Sequence, residues 1–296
     1  MAQAEETRRR LCTAHGWAAE AVELVPVTAS GDRIQDRALA DIGGKALWTR
    51  ELDACLADGR IDAAVHSLKD VETLRPDSLT IAAVLPRADV ADVLLGARSI
   101  EALPQGAVVG TSAPRRAAQL QHLRPDCEVV LFRGNVATRL AKLAAGEVAA
   151  TFLAAAGLER LGEHGVGTRL DPEGWLPAPS QAAIGIECRT GDGDALSWLS
   201  AIDDAASRAE VMGERALLAG LGGSCHSAVA CLSTWDGGQV RLTAAIFSSD
   251  GAERIAGEAR VTPGDLAAPH ALANELLSRA PESVRANFLP PATPLP

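Results

Sequence analysis

Residues 108–123 read VVGTSAPRRAAQLQHL. A short apolar run ends in two hydroxyls, and apolar side chains then recur at helical spacing behind a proline. Thr111 or Ser112 can cap such a helix, and Pro114 suits its first turn. The stretch predicts strand, tight turn and helix, with Arg115 and Arg116 at the helix N-terminus.

The same pattern recurs on both sides. Segment 2–15 reads as a helix and 22–27 (VELVPV) as a short strand. Residues 47–58 (LWTRELDACLAD) carry apolar groups at helical spacing up to Gly59, and 62–67 form the next strand. Downstream, 129–132 is a strand, RGNVATRLAKLAAGE a helix that stops at Gly146, and 149–155 (AATFLAA) another strand. This alternation predicts βαβ units with a mostly parallel sheet. Residues 171–180 (DPEGWLPAPS), with three prolines, read as a linker back to a strand at 181–188. Beyond Asp203 a helix precedes two strands, 228–235 and 239–247, that flank Asp236-Gly237-Gly238 as an antiparallel hairpin, and a last helix covers 268–280. The expected fold class is α/β. Residues 1–86 with 181–200 make one α/β domain, 87–180 a second, and 201–296 a smaller α+β domain.

Composition narrows the function. A chain of 296 residues exceeds one ordinary core. A net charge of −10 and 3% aromatics without tyrosine argue against nucleic acid, which needs basic surface and stacking platforms. No apolar run is long enough to span a membrane, and MAQAEETRRRLC is not a signal peptide. The six cysteines are scattered without a C-x-x-C pair, against zinc and against a secreted disulfide framework, so a reduced cytoplasm is expected.

Against that acidic background, residues 115–142 hold Arg115, Arg116, Arg124, Arg133, Arg139 and Lys142 beside only Asp126 and Glu128. Arg124 and Lys142 read as a solvated face. Arg115, Arg116, Arg133 and Arg139 follow strand ends, where parallel α/β sheets gather their ligands and helix N-termini favour anions. The expected ligand is a small polyanion. Asp70, at the tip of AAVHSLKDVET (63–73), is either a helix cap or a carboxylate presented to that ligand. Cys225, in LGGSCHSAVAC, is the cysteine set on a glycine-rich loop, able to carry a covalent adduct. The other five suit buried structural positions, and His66, His122 and His226 carry no assigned role.

These residues bear a family resemblance. AAVHSLKD, VVGTSAPRR, FRGNVATRL, FLAAAGLERLG, LPAPSQAAIGIECR and GERALLAGLGGSC stand in the order and spacing of the hydroxymethylbilane synthase, or porphobilinogen deaminase, family. The resemblance runs from about Val22 to Val229 and more loosely to the end. It implies two periplasmic-binding-protein-like α/β domains plus a C-terminal α+β domain, and a cytoplasmic monomer. It implies a transferase of tetrapyrrole synthesis that condenses four porphobilinogen molecules, with release of ammonia, into linear hydroxymethylbilane. It implies a dipyrromethane cofactor held as a thioether on Cys225, with Lys45, Ser67, Lys69, Thr111, Ser112, Arg115 and Arg116 around it. Arg133 and Arg139 become substrate-binding and Asp70 catalytic, steadying the azafulvenium cation left when ammonia departs.

The chain also departs from that pattern. The family opens with a segment of the type IGTRxSPLALxQA, and MAQAEETRRR resembles only its tail, so the first strand with its Arg and Ser is expected to be missing. The alternative expectation is then a truncated or degenerate paralogue that binds small polyanions without turnover, destabilised by a sheet short of a central strand. Asp41, Ser224 and Ala228 stand where Lys, Gly and Pro are usual, and Ser180 and Ala182 replace the glycines of a GQG.

Overall fold

The computed structural model describes residues 1–27, 49–224 and 226–288. In chain order these form α1 (Ala2–His15), a 3-10 turn (Ala19–Ala21), α2 (Arg50–Ala57), β1 (Ala64–Ser67), a second 3-10 turn (Leu68–Asp70), β2 (Leu79–Val84), β3 (Asp92–Leu95) and β4 (Val108–Thr111). They continue with α3 (Pro114–Leu123), β5 (Glu128–Leu131), α4 (Val136–Ala144), β6 (Ala150–Ala154), α5 (Ala155–Arg160), β7 (Thr168–Arg169) and β8 (Ile184–Arg189). The remainder is α6 (Gly193–Ser200), α7 (Ala205–Gly220), β9 (Val229–Asp236), β10 (Gln239–Phe247), β11 (Arg254–Val261), α8 (Ala267–Arg279) and α9 (Glu282–Arg285).

The opening stretch folds as read, as β4 and α3 with Pro114 in the first helical turn. The cap differs. Ala113 holds the N-cap position without a side-chain bond, and Thr111 Oγ1 accepts the Ala113 N–H at 3.2 Å. Asn135 does cap α4, accepting from Thr138 N–H at 2.9 Å, and Gly146 beyond it has φ +76°, which glycine adopts freely.

Two α/β lobes and a smaller α+β domain result. In the first lobe β8 lies between β1 and β2 and antiparallel to both. In the second, ordered β5-β4-β6-β3-β7, β4 runs parallel to β5 and β6, but β3 is antiparallel to β6 and β7. The expected mostly parallel sheet is therefore corrected. Helices α3 and α4 link β4, β5 and β6, so the βαβ rule holds there. Strands β3 and β8 enter straight from the two crossovers between lobes, where no helix fixes their direction. The strand expected at 22–27 is also absent: Glu23–Val27 has no ladder partner among the described residues. Strands β2, β3, β7 and β11 went unforeseen.

The C-terminal sheet is a meander, β11-β10-β9, whose first turn uses Gly237 at φ +58° and Gly238 at φ +104°. Its one face packs on α7 and α8 through Leu217, Leu221, Leu242, Ile246 and Leu272. Ala230, Ala245 and Phe247 on the opposite face meet Ala118 of α3 and Leu176. The third domain thus touches the second lobe as well as its own helices.

Candidate active site

Strand β1 runs out at Ser67, and the chain turns sharply into the Leu68–Asp70 3-10 turn. Leu68 N–H donates to the Ala183 carbonyl at 3.0 Å, and its side chain lies against Gly185, where a Cβ would collide with it. Lys69 is half-buried and Asp70 exposed at the sheet end. The charge of Asp70 favours the Lys69 ammonium, but burial and the charges of Arg116 and Arg115 prevail and hold its pKa below the ordinary value. The charges at the helix N-terminus of the second lobe thus reach the turn of the first.

Arg115 and Arg116 are both buried on Asp92, the first residue of β3 and itself fully enclosed. Arg115 donates to Asp92 Oδ2 at 2.8 Å and to the Leu176 carbonyl at 2.8 Å, leaving its buried Nε unpartnered. Arg116 donates to both Asp92 oxygens, at 2.7 and 3.2 Å, and to the Phe152 carbonyl at 3.1 Å. Trp175 Nε1 and Gln181 Nε2 complete the shell at 2.8 and 2.9 Å. Burial alone would raise the Asp92 pKa; the two guanidiniums hold it far below the carboxylate range.

Arg139, one turn into α4, donates to Gly134 O at 3.0 Å, Ser112 Oγ at 3.3 Å and Phe152 O at 3.5 Å, all neutral oxygens. It makes no ion pair with any described residue. Burial, with the repulsion of Arg116 and Arg133, lowers its pKa to about 10. Five cations (Lys69, Arg115, Arg116, Arg133 and Arg139) therefore lie within electrostatic reach of this region, with Arg115 and Arg116 enclosed on Asp92. An excess of partly desolvated positive charge is stable with an anion bound.

Most sequence-chosen residues converge here. Ser112 joins Arg139, Thr111 is buried at the end of β4, and Ser67 is half-buried at the end of β1. Lys45 and Cys225 lie outside the described residues. Arg124 instead clamps the carbonyls of Ile100, Leu103 and Pro104, and Lys142 lies 5.3 Å from the Phe132 ring centroid, so neither faces the crevice. Asp92, Trp175 and Gln181 were missed; the one available signal was an aspartate heading the apolar run DVLL.

Fold and site together define a two-lobed α/β protein with a cation-rich region at its strand ends. Residues 1–197 match the family model described as porphobilinogen deaminase, dipyromethane cofactor binding domain, and 208–279 match its C-terminal domain. The chain belongs to the porphobilinogen deaminase family. It is 57% identical over 294 residues to a porphobilinogen deaminase of Sphingopyxis alaskensis, covering 97% of this chain and 93% of the relative. It is 50% identical over 286 residues to one of Paracoccus denitrificans, covering 95% and 91%. Among solved structures, a periplasmic binding protein of Salmonella typhimurium with high arginine specificity is 12% identical, covering 71% of this chain and 85% of that one at a TM-score of 0.38. That likeness is too loose to speak for a ligand.

Proposed function

We propose that Asp70 is the catalytic carboxylate of a transferase that condenses four porphobilinogen molecules into linear hydroxymethylbilane, releasing ammonia, for tetrapyrrole synthesis. Porphobilinogen carries an acetate and a propionate, so the growing product accumulates carboxylates. Arg133 and Arg139 take the substrate's acids, a role supported by the neutral hydrogen-bond partners of Arg139. Arginine suits it because its planar fork grips a carboxylate with two donors.

The dipyrromethane cofactor is acidic too, and the cation excess fits it. Lys69, Ser67, Thr111, Ser112, Arg116 and Lys45 would hold it, with Cys225 as its thioether anchor. Arg115 would hold it as well, both arginines being anchored on Asp92. When bound, the cofactor supplies the pyrrole carbon to which the first substrate unit is joined. Asp70 then holds the positive charge left on the substrate's methylene as the amine departs. Lys69 beside it, with a lowered pKa, gives up a proton more readily than a solvated lysine.

One observation carries this reading: Lys69, next to Asp70 on one lobe, feels the charges of Arg116, Asp92 and Arg115 on the other. Asp70→Asn should lower ammonia release about a hundredfold or more. Intact-protein mass spectrometry should still find the covalent adduct, lost in Cys225→Ser. Wild-type turnover in Asp70→Asn overturns the assignment. A cytoplasmic monomer without nucleic-acid partners, divided at 1–86 with 181–200, 87–180 and 201–296, completes the proposal; among the described residues no helix is long and apolar enough to cross a membrane.

A further inference from the structure

Helix α7 belongs to the C-terminal domain, yet it sends long side chains into the first lobe. Arg215 is 7% exposed and makes no ion pair with any described residue. Its guanidinium is used on backbone: Nη2 donates to Glu72 O at 2.6 Å and Thr73 O at 3.2 Å, and Nη1 to Val71 O at 3.4 Å. These are the three carbonyls immediately after Asp70. On the other side of the turn, Leu68 N–H is tied to Ala183 O. A buried arginine without a bound carboxylate is costly, and an apolar side chain would fill an interface at less cost. What arginine adds here is a fork that fixes three consecutive carbonyls at once.

The same helix ends five residues later at Gly220 and leads directly into the loop that carries Cys225. That distance is about 8 Å of helix at 1.5 Å per residue. One rigid element therefore holds the start of the thiol loop and the end of the Asp70 turn.

We propose that Arg215 is a positioning residue for Asp70, setting the carboxylate's place relative to the loop at the end of α7. The inference rests on the catalytic reading of Asp70. Arg208 provides the control, since it lies on α7 and donates to Ile81 O and Ala82 O of the same lobe, but far along the chain from the turn.

The test compares Arg215→Met, Arg215→Lys, Arg208→Met and Asp70→Asn as purified, cofactor-loaded proteins. Both Met variants should lower the melting temperature. Arg215→Met should lose kcat about tenfold to a hundredfold, as expected when a reacting group shifts by about an ångström. Its KM for porphobilinogen should stay within about twofold, and Arg215→Lys should recover part of kcat. Arg208→Met should keep the parental kcat. If Arg215→Met cannot be obtained loaded, Arg215→Lys carries the comparison with a smaller loss. Parental kcat in the Arg215 variants, or an equal loss in Arg208→Met, overturns the positioning role. Asp70→Asn separates the two claims: inactive Asp70→Asn beside fully active Arg215 variants overturns the positioning role alone, whereas active Asp70→Asn overturns both.

Discussion

Gln181 lies on the crossover into β8 and Asp92 at the head of β3 in the other lobe, yet Gln181 Nε2 donates to Asp92 Oδ1 at 2.9 Å. The same carboxylate takes both Arg115 and Arg116 and the Trp175 indole. One enclosed acid therefore ties the returning crossover to the arginine pair at the start of α3.

Asp92→Asn should be severely destabilising. It leaves two buried guanidiniums without a counter-charge, and breaking a buried pair from one side costs about 3–5 kcal/mol. Urea unfolding should show a midpoint lowered accordingly, with little change in slope.

Glu187 should govern part of the acid sensitivity. It is fully buried, with His66 Nε2 3.1 Å away and Arg75 donating to both oxygens at 2.9 Å. Burial alone would raise its pKa, but His66 and Arg75 pull it from 4.5 to about 2. A carboxylate depressed in the folded state contributes stability that is full above the unfolded value near 4.5 and lost as pH falls through about 2. Glu187→Gln should thus be less stable than the parent at neutral pH, with the gap closing between about pH 5 and pH 2. A gap that is constant with pH would sink this account.

Ala182 and Ala183 should respond to glycine in opposite ways. Ala182 sits at φ +66°, a left-handed conformation that costs a residue with a Cβ about 1 kcal/mol or more. Ala182→Gly should match or exceed the parent's stability, because relief of strain offsets the entropy of the added glycine. Ala183 has no such strain and is fully buried, so Ala183→Gly should lose about 1 kcal/mol. Paired urea titrations decide it.

Arg139 should show itself in KM. Arg139→Gln removes a charge that no described acid balances, and KM for porphobilinogen should rise about tenfold, the weight of one charge-assisted hydrogen bond. Arg139→Lys should recover only part, for want of the two-pronged donor. Steady-state kinetics at fixed ionic strength provide the check.

Much of this arrangement was legible in the residues. The strand-to-helix turns that place Arg116 and Arg139, the Asn135 cap and the Gly237-Gly238 turn all depend on local chemistry within a few positions. Strand direction did not, because β8 reaches its slot between β1 and β2 from the far side of the second lobe. Nor did the pairing of Asp92 with Arg115 and Arg116, 23 and 24 residues away: strand-end arginines look alike in sequence whether they face a ligand or a buried acid. The Arg215 clamp, 144 residues from Val71, is of the same kind.

The C-terminal domain is fastened on two sides. Toward the first lobe, Arg208 donates to Ala82 O at 2.7 Å. Toward the second, His122 Nδ1 meets Gly251 O at 3.0 Å and Cys231 N–H donates to Pro177 O at 2.9 Å. It works as the keystone of an arch: any change of angle between the two lobes must break hydrogen bonds along one flank of the stone.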